Sequence, residues 1–553
     1  CGYFYEVNQK DFGRIPGSPV AYWASPQIMN AFSDNPSINA IGEAKAGMTT
    51  GDNERFLRAW FEVNFDKVGI GYATSEEAQQ SRKKWFPYNK GGGFRKWYGL
   101  NEMVVLWENN GSEIKNATKS GRKIASVRSE RLYFKESITW ATLTSGMFSA
   151  RYSEAGSLFD DKGSSAFIPV EHNKYVLAFM NACVSNYILG MLNPTISFQS
   201  GNIGSLPIAL PNNNEKNVNE LTKDAIDICK KDWNQFEISW DFKKHPLLCY
   251  ESDKVSVAFK IWAKECDERF NRLKASEEEL NRIFIDIYGL QDELTPEVED
   301  KDVTVRQADL QRDIKNLISY AVGCMFGRYS LDEDGLVYAG GEWDNSKYDT
   351  FIPDEDNCIP ITDEEYFEDD IVGLFCAWLK KVYGEDTLEE NLDFIANALG
   401  NKGKTSREVI RNYFLTDFIK DHIKTYQKRP IYWLFDSGKQ NGFKALVYMH
   451  RWNADTIGNV RVEYLHRIQR VYEKEIVRMQ EIIDNSHDNK EISNATKRKE
   501  KLQKQIKETK DYDAKIAHLA LSRIDIDLDD GVKVNYEKVQ TADGKKMQIL
   551  VKI

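Results

Sequence analysis

The chain has little of what builds a metal centre or a redox site. Its eight cysteines are scattered without a CxxC pair, and its seven histidines show no HxxxH or HExxH spacing. Zinc ribbons and two-histidine helices need such spacings, because their ligands must meet around one ion. We therefore assign no metal ligand and interpret the cysteines as reduced core thiols.

Motifs for nucleotide and nuclease chemistry are missing as well. There is no GxxxxGK[ST] P-loop, and GNKGK (residues 400–404) is interpreted as a turn after a helix. Glu43-Ala44-Lys45 is an ExK triplet without a suitably placed upstream Pro-Asp pair, and VGIG (68–71) contains a lone GxG. None of these patterns predicts catalysis by this chain.

Long apolar runs are absent too. No run approaches the roughly 20 residues of a membrane span. The first residues, CGYFYEVNQKDFGRIPG, show no basic segment followed by an apolar one. The expectation is a cytoplasmic protein without membrane contact. Because the sequence starts with Cys1, we also interpret it as a fragment whose upstream part is missing.

Positive charge is scarce overall but concentrated in one place. The net charge is −11, yet residues 81–135 hold thirteen Lys and Arg against four Asp and Glu. This basic island of +9 leaves −20 for the rest of the chain. A basic island on an acidic body is typical of a protein that touches a polyanion with one face.

The 553 residues are too many for one ordinary domain. Aromatic and β-branched runs between Gly and Asn turns predict a mixed α/β domain over residues 1–214, with the boundary at LPNNN (210–214). Helical periodicity follows. We predict a helical spacer over 215–326, a mostly helical domain over 327–460, and a coiled-coil hairpin with a short strand-rich tail over 461–553. The predicted fold class is α+β.

Several individual elements follow from the spacing of apolar residues. The predicted helices cover residues 174–191, 217–233, 255–288 and 301–326, with further helices between 371 and about 428. The hairpin arms lie within 461–522, with a turn at 485–489, and carry the apolar stripe Leu465, Ile468, Tyr472, Ile476, Met479, Ile483, Leu502, Ile506 and Ile516.

The strongest binding signal lies in WFPYNKGGGFRKWY (85–98), where aromatics, cations and glycines alternate. Glycine lets the backbone approach a phosphate closely, Lys and Arg neutralise phosphates, and Arg can read guanine with two hydrogen bonds. The alternative is that the aromatics are core and the cations a solvated edge. A second signal is FQSGNIGSLPI (198–208), a polar glycine turn before an apolar run, whose alternative is a simple closure of a domain.

Taken together, these segments resemble a known family. TTGDNERFLRAW (49–60) is similar to the segment that joins catalytic and recognition domains in fused restriction-modification methyltransferases, and residues 90–98 and 198–208 resemble their target-recognition domains and those of type I specificity subunits. The later segments narrow the resemblance to PglX-type DNA adenine methyltransferases of BREX phage-defence systems. They are WNQFEISWDF (233–242), LNRIFI (280–285), YAVGCMFGRY (320–329), WLFDSG (433–438), YMHRW (448–452) and LDDGVKVNY (528–536).

The resemblance implies an S-adenosyl-L-methionine-dependent N6-adenine methyltransferase that marks host DNA at a non-palindromic site. Its partners would be double-stranded DNA and other BREX proteins, and a phage-encoded inhibitor is a further candidate. The family's catalytic domain lies N-terminal to the matched segments. Here the glycine-rich turn for the cofactor and the Asn/Asp-Pro-Pro-aromatic loop are absent, and NPTI (193–196) lacks the second proline and the aromatic. We expect this chain to bind no cofactor and to have no catalytic residue.

The resemblance also directs the choice of DNA contacts. For base or backbone contact we select Lys90, Arg95, Lys96, Tyr98, Arg151, Tyr152, Ser200 and Asn202. For phosphate clamping we select Arg122, Lys123 and Arg128. Two rival hypotheses stay open: an interaction scaffold that docks other BREX proteins or a phage inhibitor, and the recognition half of a fused restriction-modification enzyme.

Overall fold

The computed structural model describes residues 13–19, 21–144, 146–193, 195–210, 214–400 and 403–553. They form two compact units. Unit 1 comprises the chain up to Trp60, Lys67–Gln235 and Lys264–Gln307, and unit 2 comprises Phe61–Asp66, Phe236–Ala263 and Ala308–Ile553. The four-segment division expected from the sequence stays a prediction. Most of its boundary at 210–214, and part of the turn at 400–404, lie outside the described residues.

Helices and short strands are mixed along the chain, as the predicted α+β class requires. The helices are α1 (Pro26–Asp34), α2 (Ile38–Ile41), α3 (Asn53–Phe56), α4 (Ser75–Gln80), α5 (Glu108–Lys115), α6 (Val170–Asn181), α7 (Cys183–Leu192), α8 (Ser200–Gly204), α9 (Glu215–Trp233), α10 (Val255–Tyr288), α11 (Leu310–Met325), α12 (Ile371–Tyr383), α13 (Leu388–Leu399), α14 (Ser406–Thr416), α15 (Phe418–Thr425), α16 (Thr456–Asn459), α17 (His466–Asn485), α18 (Asn489–Leu521) and α19 (Gly531–Lys538).

The strands are β1 (Glu43–Lys45), β2 (Leu57–Ala59), β3 (Trp85–Asn89), β4 (Met103–Leu106), β5 (Thr118–Lys119), β6 (Arg122–Lys123), β7 (Ser137–Trp140), β8 (Ala150–Ser153), β9 (Leu158–Phe159), β10 (Ser165–Phe167), β11 (Ile359–Pro360), β12 (Tyr432–Asp436), β13 (Lys444–Tyr448), β14 (Thr541–Ala542) and β15 (Lys545–Lys546).

Unit 1 is built on two four-stranded sheets. One has the order β2-β4-β3-β9, with β3 and β9 parallel and the other pairs antiparallel. The other is antiparallel, in the order β1-β10-β7-β8. Four consecutive residues of β3, from Trp85 to Tyr88, are buried, so this strand is covered on both faces. Five of the six aromatics of the predicted binding segment are core and Phe94 is half-buried. A large ring fully removed from water contributes roughly 1.5–3 kcal/mol to stability.

The predicted helix 174–191 is two helices, α6 and α7, bent by 71°. The break falls at Ala182, whose backbone is extended (φ −73°, ψ 154°). Asn281, 98 residues away, accepts a hydrogen bond from the freed Cys183 N–H at 2.9 Å. Within the described ranges no single helix has the length and apolar composition of a membrane span, although this bent pair taken together does.

Unit 2 combines the sheet β11-β13-β12 with helices α11 to α19. The predicted helix 255–288 is confirmed as α10. The predicted helix 301–326 begins only at Leu310, because the Asp309 side chain caps that end by accepting from Arg312 N. The tail expected to be strand-rich contains α19 as well as the short strands β14 and β15.

The helical hairpin is confirmed. Helices α17 and α18 are joined by a three-residue turn and pack antiparallel, as the hydrogen bond between His466 Nε2 and Asp513 Oδ1 (2.9 Å) and the ion pair between Glu473 and Lys510 (3.2 Å) demonstrate. Ile468, Tyr472 and Leu502 are fully buried.

Candidate nucleic-acid interface

An exposed basic hairpin projects from unit 1. Strands β5 and β6 pair antiparallel, with Lys119 directly opposite Arg122 and Thr118 opposite Lys123, and all four residues are exposed. Ser120 (φ 51°) and Gly121 (φ 75°) form the two-residue turn. Two positive φ angles in succession give the turn whose twist suits a tight hairpin. The hairpin therefore holds three cationic side chains in solvent on a short, defined scaffold.

The base of this basic hairpin is fixed to a neighbouring segment. Ile124 N donates to Ala117 O at 3.1 Å, which continues the ladder beyond the strands. Thr49 and Ser126 exchange two backbone hydrogen bonds of 2.8 and 2.9 Å. Gly51 lies so close that a Cβ there would come within 2.3 Å of the Ile124 carbonyl oxygen.

The cations of the basic hairpin repel one another, because Lys119 lies directly opposite Arg122. Like charges directly opposite each other on an antiparallel pair destabilise it. Neither Lys119 nor Arg122 has an acidic side-chain partner in the described part of the chain. A polyanion placed against the basic hairpin would remove this repulsion, because it supplies the missing negative charge.

Arg128 lies close by in sequence and is exposed as well. Its Nε donates to Ser126 Oγ at 3.1 Å, and its carbonyl accepts from the Tyr133 hydroxyl at 2.7 Å. The three predicted phosphate-clamping residues are thus all on the surface of unit 1. Lys119, which was counted in the basic island but not selected, joins them. In the sequence, the pair Ser120-Gly121 between two short polar runs indicates the basic hairpin that carries Lys119, because such pairs are typical of tight hairpin turns.

A polar cleft of about 560 Å³ adjoins the basic hairpin. Its lining includes Arg55, Glu108, Asn109, Ser112, Asn116 and Thr118. The backbone beside the cleft turns sharply at Asn109, Asn110 and Gly111, because these three residues have left-handed backbone angles in succession. Asn and Gly tolerate this region far better than other residues, which explains their use here.

Lys90 forms an ion pair within unit 1. Its Nζ lies 2.6 Å from Oδ2 of the buried Asp160, which also accepts from the Tyr88 hydroxyl at 2.8 Å. Burial raises the pKa of Asp160. A Cβ on Gly91 would come within 2.7 Å of the Lys162 carbonyl oxygen, and a Cβ on Gly163 would come within 2.1 Å of the Asn89 carbonyl oxygen. Close backbone packing therefore explains Gly91 without a phosphate, whereas a Cβ on Gly93 would have nothing within 4 Å.

Arg95 lies inside unit 1 with 7% of its surface exposed. Its Nη2 is 3.0 Å from Asp232 Oδ2, its Nε donates to Tyr98 O at 2.7 Å, and its Nη1 donates to Thr304 O at 3.1 Å. The guanidinium also lies over the Trp233 ring, 5.0 Å from the centroid. In this structure its donors are directed to internal acceptors and not to solvent.

Lys96 and Tyr98 are likewise interior. Lys96 Nζ forms a buried ion pair with Glu277, which also accepts from Trp97 Nε1 at 2.6 Å. Tyr98 is 2% exposed, and Lys230 Nζ lies 5.4 Å from its ring centroid. These ion pairs join the predicted binding segment to α9 and α10, so its cations stabilise unit 1.

Arg151 and Tyr152 are on β8. Arg151 is 2% exposed, and among the described residues its Nε and Nη1 have no hydrogen-bond partner. Burial, and secondarily the neighbouring Arg95, lowers the pKa of Arg151 to about 10. Tyr152 is half-buried, and burial raises its pKa to about 12, with Glu136 as a further cause.

Ser200 and Asn202 open the short helix α8 and are half-buried. Asn202 Oδ1 accepts from Gln199 N at 3.2 Å and from Asn193 Nδ2 at 3.3 Å, so the side chain caps the helix. In the described residues, no group of three or more His, Cys, Asp or Glu is arranged to hold a metal ion. The structure thus separates the selected residues into the exposed Arg122, Lys123 and Arg128 and a set that is buried or half-buried in unit 1.

Comparison with known proteins places this chain beside two bacterial enzymes. It is 47% identical over 551 residues to "Adenine-specific methyltransferase PglX" of Lacticaseibacillus casei (strain Zhang), and 37% identical over 572 residues to "Adenine-specific methyltransferase BrxX" of Escherichia coli O9:H4 (strain HS). Each match covers 97% of this chain and 45% of the relative. The chain therefore spans about half the length of these curated relatives. No protein-family model matches the chain.

Proposed function

Since the chain belongs to the family of the adenine-specific methyltransferases PglX and BrxX, we propose that it recognises the DNA target for such an enzyme. The full protein would transfer a methyl group from S-adenosyl-L-methionine to N6 of adenine and so mark host DNA in a BREX system. Methyl transfer is assigned to another part of the protein, because neither motif that it needs occurs in this chain.

The observation that carries the proposal is the basic hairpin. Lys119, Arg122 and Lys123 are exposed on a chain of net charge −11, and Arg128 follows them. Phosphate contacts of this kind position a protein on a duplex and account for most of its salt-dependent affinity. The polar cleft beside it offers amide and hydroxyl groups, the kind of side chain that forms hydrogen bonds with base edges.

In this proposal the interior cations act indirectly. Arg95 and Lys96 hold the segment 90–98 against α9 and α10 through Asp232 and Glu277. Because these buried ion pairs are already formed in the free protein, the two residues would keep the recognition surface rigid when DNA binds. Ser200 and Asn202 stay candidates for polar contacts, since α8 is partly exposed.

A titration of the 553-residue chain with duplex DNA tests the proposal. A pool of genomic fragments and a scrambled control would be followed by fluorescence anisotropy across a range of salt concentrations. We expect salt-sensitive binding and enrichment of one sequence. In the variant Lys119→Gln/Arg122→Gln/Lys123→Gln, the slope of log K against log salt should fall by about 2.7, at roughly 0.9 for each phosphate contact.

The matched control is Lys216→Gln/Lys223→Gln/Lys264→Gln, which removes three exposed charges from helices of the same unit. Equal effects of the two variants would show that only net charge matters and would contradict the proposal. Absence of any DNA binding would favour the rival function, a scaffold for other BREX proteins. The segment 327–370, with fifteen Asp and Glu against two Lys and Arg, is the observation in favour of that rival.

A further inference from the structure

Helix α18 carries a second basic surface, in unit 2. Lys490, Lys497, Lys504 and Lys515 follow one another at spacings of seven, seven and eleven residues. At 100° per residue these positions fall within about 40° of one another on the helix surface. All four are exposed, and none of their ammonium groups has an acidic partner in the part of the chain that the structure describes. These residues are called the lysine stripe.

In the described part of the chain no ion pair joins the lysine stripe to an acidic residue of the same helix, although Glu500 and Glu508 stand four residues either side of Lys504 and Asp511 stands four residues before Lys515. The Glu508 carboxylate accepts instead from Ser437 Oγ (2.8 Å), Gln440 N (2.8 Å) and Gly442 N (3.0 Å). That carboxylate is therefore occupied by the loop between β12 and β13. Lys501 beside the lysine stripe pairs with Asp363 at 2.5 Å, an acid outside the helix.

The stretch of α18 that carries most of the lysine stripe has a local excess of positive charge. From Lys490 to Lys510 the helix has eight Lys and Arg against three Glu, and like charges three or four residues apart destabilise a helix. The packing face of α18 is elsewhere, at Leu502, Tyr512 and Ile516, which are buried. Neither core packing nor a formed ion pair among the described residues therefore accounts for lysine at these four positions.

We propose that the lysine stripe contacts the phosphate backbone of duplex DNA without reading its sequence. Between Lys490 and Lys515 the stripe is about 37 Å long, at 1.5 Å per residue, close to one turn of B-DNA. Lysine is a flexible point charge suited to phosphates, whereas bidentate base reading favours arginine. The inference rests on the proposed function in one respect, that the ligand is duplex DNA.

An acidic protein partner is less compatible with this surface. Protein interfaces are depleted in lysine and depend on aromatic or apolar anchors at their centre. The large exposed apolar residues of the helical hairpin are Val477 on α17 and Leu521 at the end of α18, and the described residues from Lys490 to Lys515 include none. A face of lysines without an anchor is typical of polyanion binding, where counterion release provides the affinity.

The test uses the 553-residue chain and two duplexes, one with the enriched target and one scrambled. The variant Lys490→Gln/Lys497→Gln/Lys504→Gln/Lys515→Gln should lower the salt slope by about 3.6 on both duplexes, at roughly 0.9 per phosphate contact. It should also weaken binding to both by the same factor, because backbone contacts carry no sequence information. Arginine at the same four positions should retain the slope.

The control variant is Lys260→Gln/Lys381→Gln/Lys424→Gln/Lys538→Gln, which removes the same charge from four other exposed helical positions in unit 2. Gln and Lys have similar helix propensities, and circular dichroism checks that both proteins fold. If the parent chain binds DNA and the two glutamine variants behave alike, the lysine stripe is not a DNA surface, while the proposed function stands. If the parent chain binds no DNA, both proposals fail.

Discussion

Arg95 and Asp232 form an ion pair inside unit 1, with the guanidinium Nη2 and the carboxylate Oδ2 3.0 Å apart and both side chains less than a tenth exposed. Asp232 also accepts from Arg306 N at 3.0 Å. The pair thus connects the segment predicted to contact DNA with two distant parts of the same unit. Arg95, which the sequence predicted as a DNA contact, is therefore an internal residue of unit 1 in this structure.

Replacing Arg95 by Met should therefore destabilise unit 1. Removal of one partner leaves a buried unpaired carboxylate, which costs about 3–5 kcal/mol of unfolding free energy. The double variant Arg95→Met/Asp232→Leu should recover most of that loss, and urea unfolding of the single and double variants measures it. If Arg95 reads a base instead, Arg95→Met will lose DNA affinity at unchanged stability and Asp232→Leu will not rescue it.

Two glycines at the basic hairpin should respond differently to alanine. Gly51 and Gly121 share a left-handed φ, 74° and 75°, which costs a non-glycine residue about 1–2 kcal/mol. A Cβ on Gly51 would also collide with the Ile124 carbonyl, whereas Gly121 has nothing within 4 Å. We expect Gly51→Ala to lower both the thermal midpoint and DNA affinity clearly more than Gly121→Ala does. Equal effects would mean that the hairpin base is not fixed as described.

Glu237 should make unit 2 less stable as the pH rises. Burial raises the pKa of Glu237 to about 7, although Ser319 Oγ donates to it at 2.7 Å. Below pH 4.5 the folded and unfolded chains both hold the proton. Between pH 4.5 and 7 only the folded chain keeps it, so stability falls by about 3 kcal/mol in total.

The Glu237→Gln variant should lack this contribution, because its side chain is neutral at every pH. The difference in urea midpoint between parent and variant, followed from pH 4 to pH 9, isolates the effect from all other titrating groups. A difference that does not change with pH would show that Glu237 has an ordinary pKa.

Three histidines of unit 2 should stay neutral in mildly acidic solution. Burial lowers the pKa of His245, His422 and His450 to about 3, and Arg328 adds to the effect on the last two. His422 Nε2 accepts from Ile431 N (3.0 Å) and Tyr432 N (3.1 Å), which requires an unprotonated nitrogen.

Because these folded-state pKa values lie below that of an unfolded histidine, stability is complete above pH 6.5 and decreases as the pH falls. Each histidine contributes a slope of about 1.4 kcal/mol per pH unit until the pH approaches 3. Proton NMR of the imidazole C–H groups between pH 7 and 5 checks this expectation. A resonance of one of these residues that titrates near pH 6.5 would contradict it.

Local patterns in the sequence were sufficient for much of the helical structure. The apolar spacing predicted α10 from Val255 to Tyr288 and a hairpin turn at residues 485–489, because a helix and its turn depend on neighbours within a few residues. The basic island was visible for the same reason, since charge is additive along the chain. The segment from Lys490 to Lys510 has a net charge of +5, which the sequence shows in the same way, but the negative net charge of the whole chain obscured it.

Tertiary structure alone decided which cations face solvent. Arg95 and Arg122 carry the same charge within one basic island, yet Arg95 is buried against Asp232, 137 residues away, and Arg122 is exposed at the end of a tight turn. Likewise, α6 and α7 separate at Ala182 where Asn281 accepts the freed N–H. The sequence by itself determined periodicity, class and family, whereas the burial of a charge depended on a distant partner, and no local pattern encodes that.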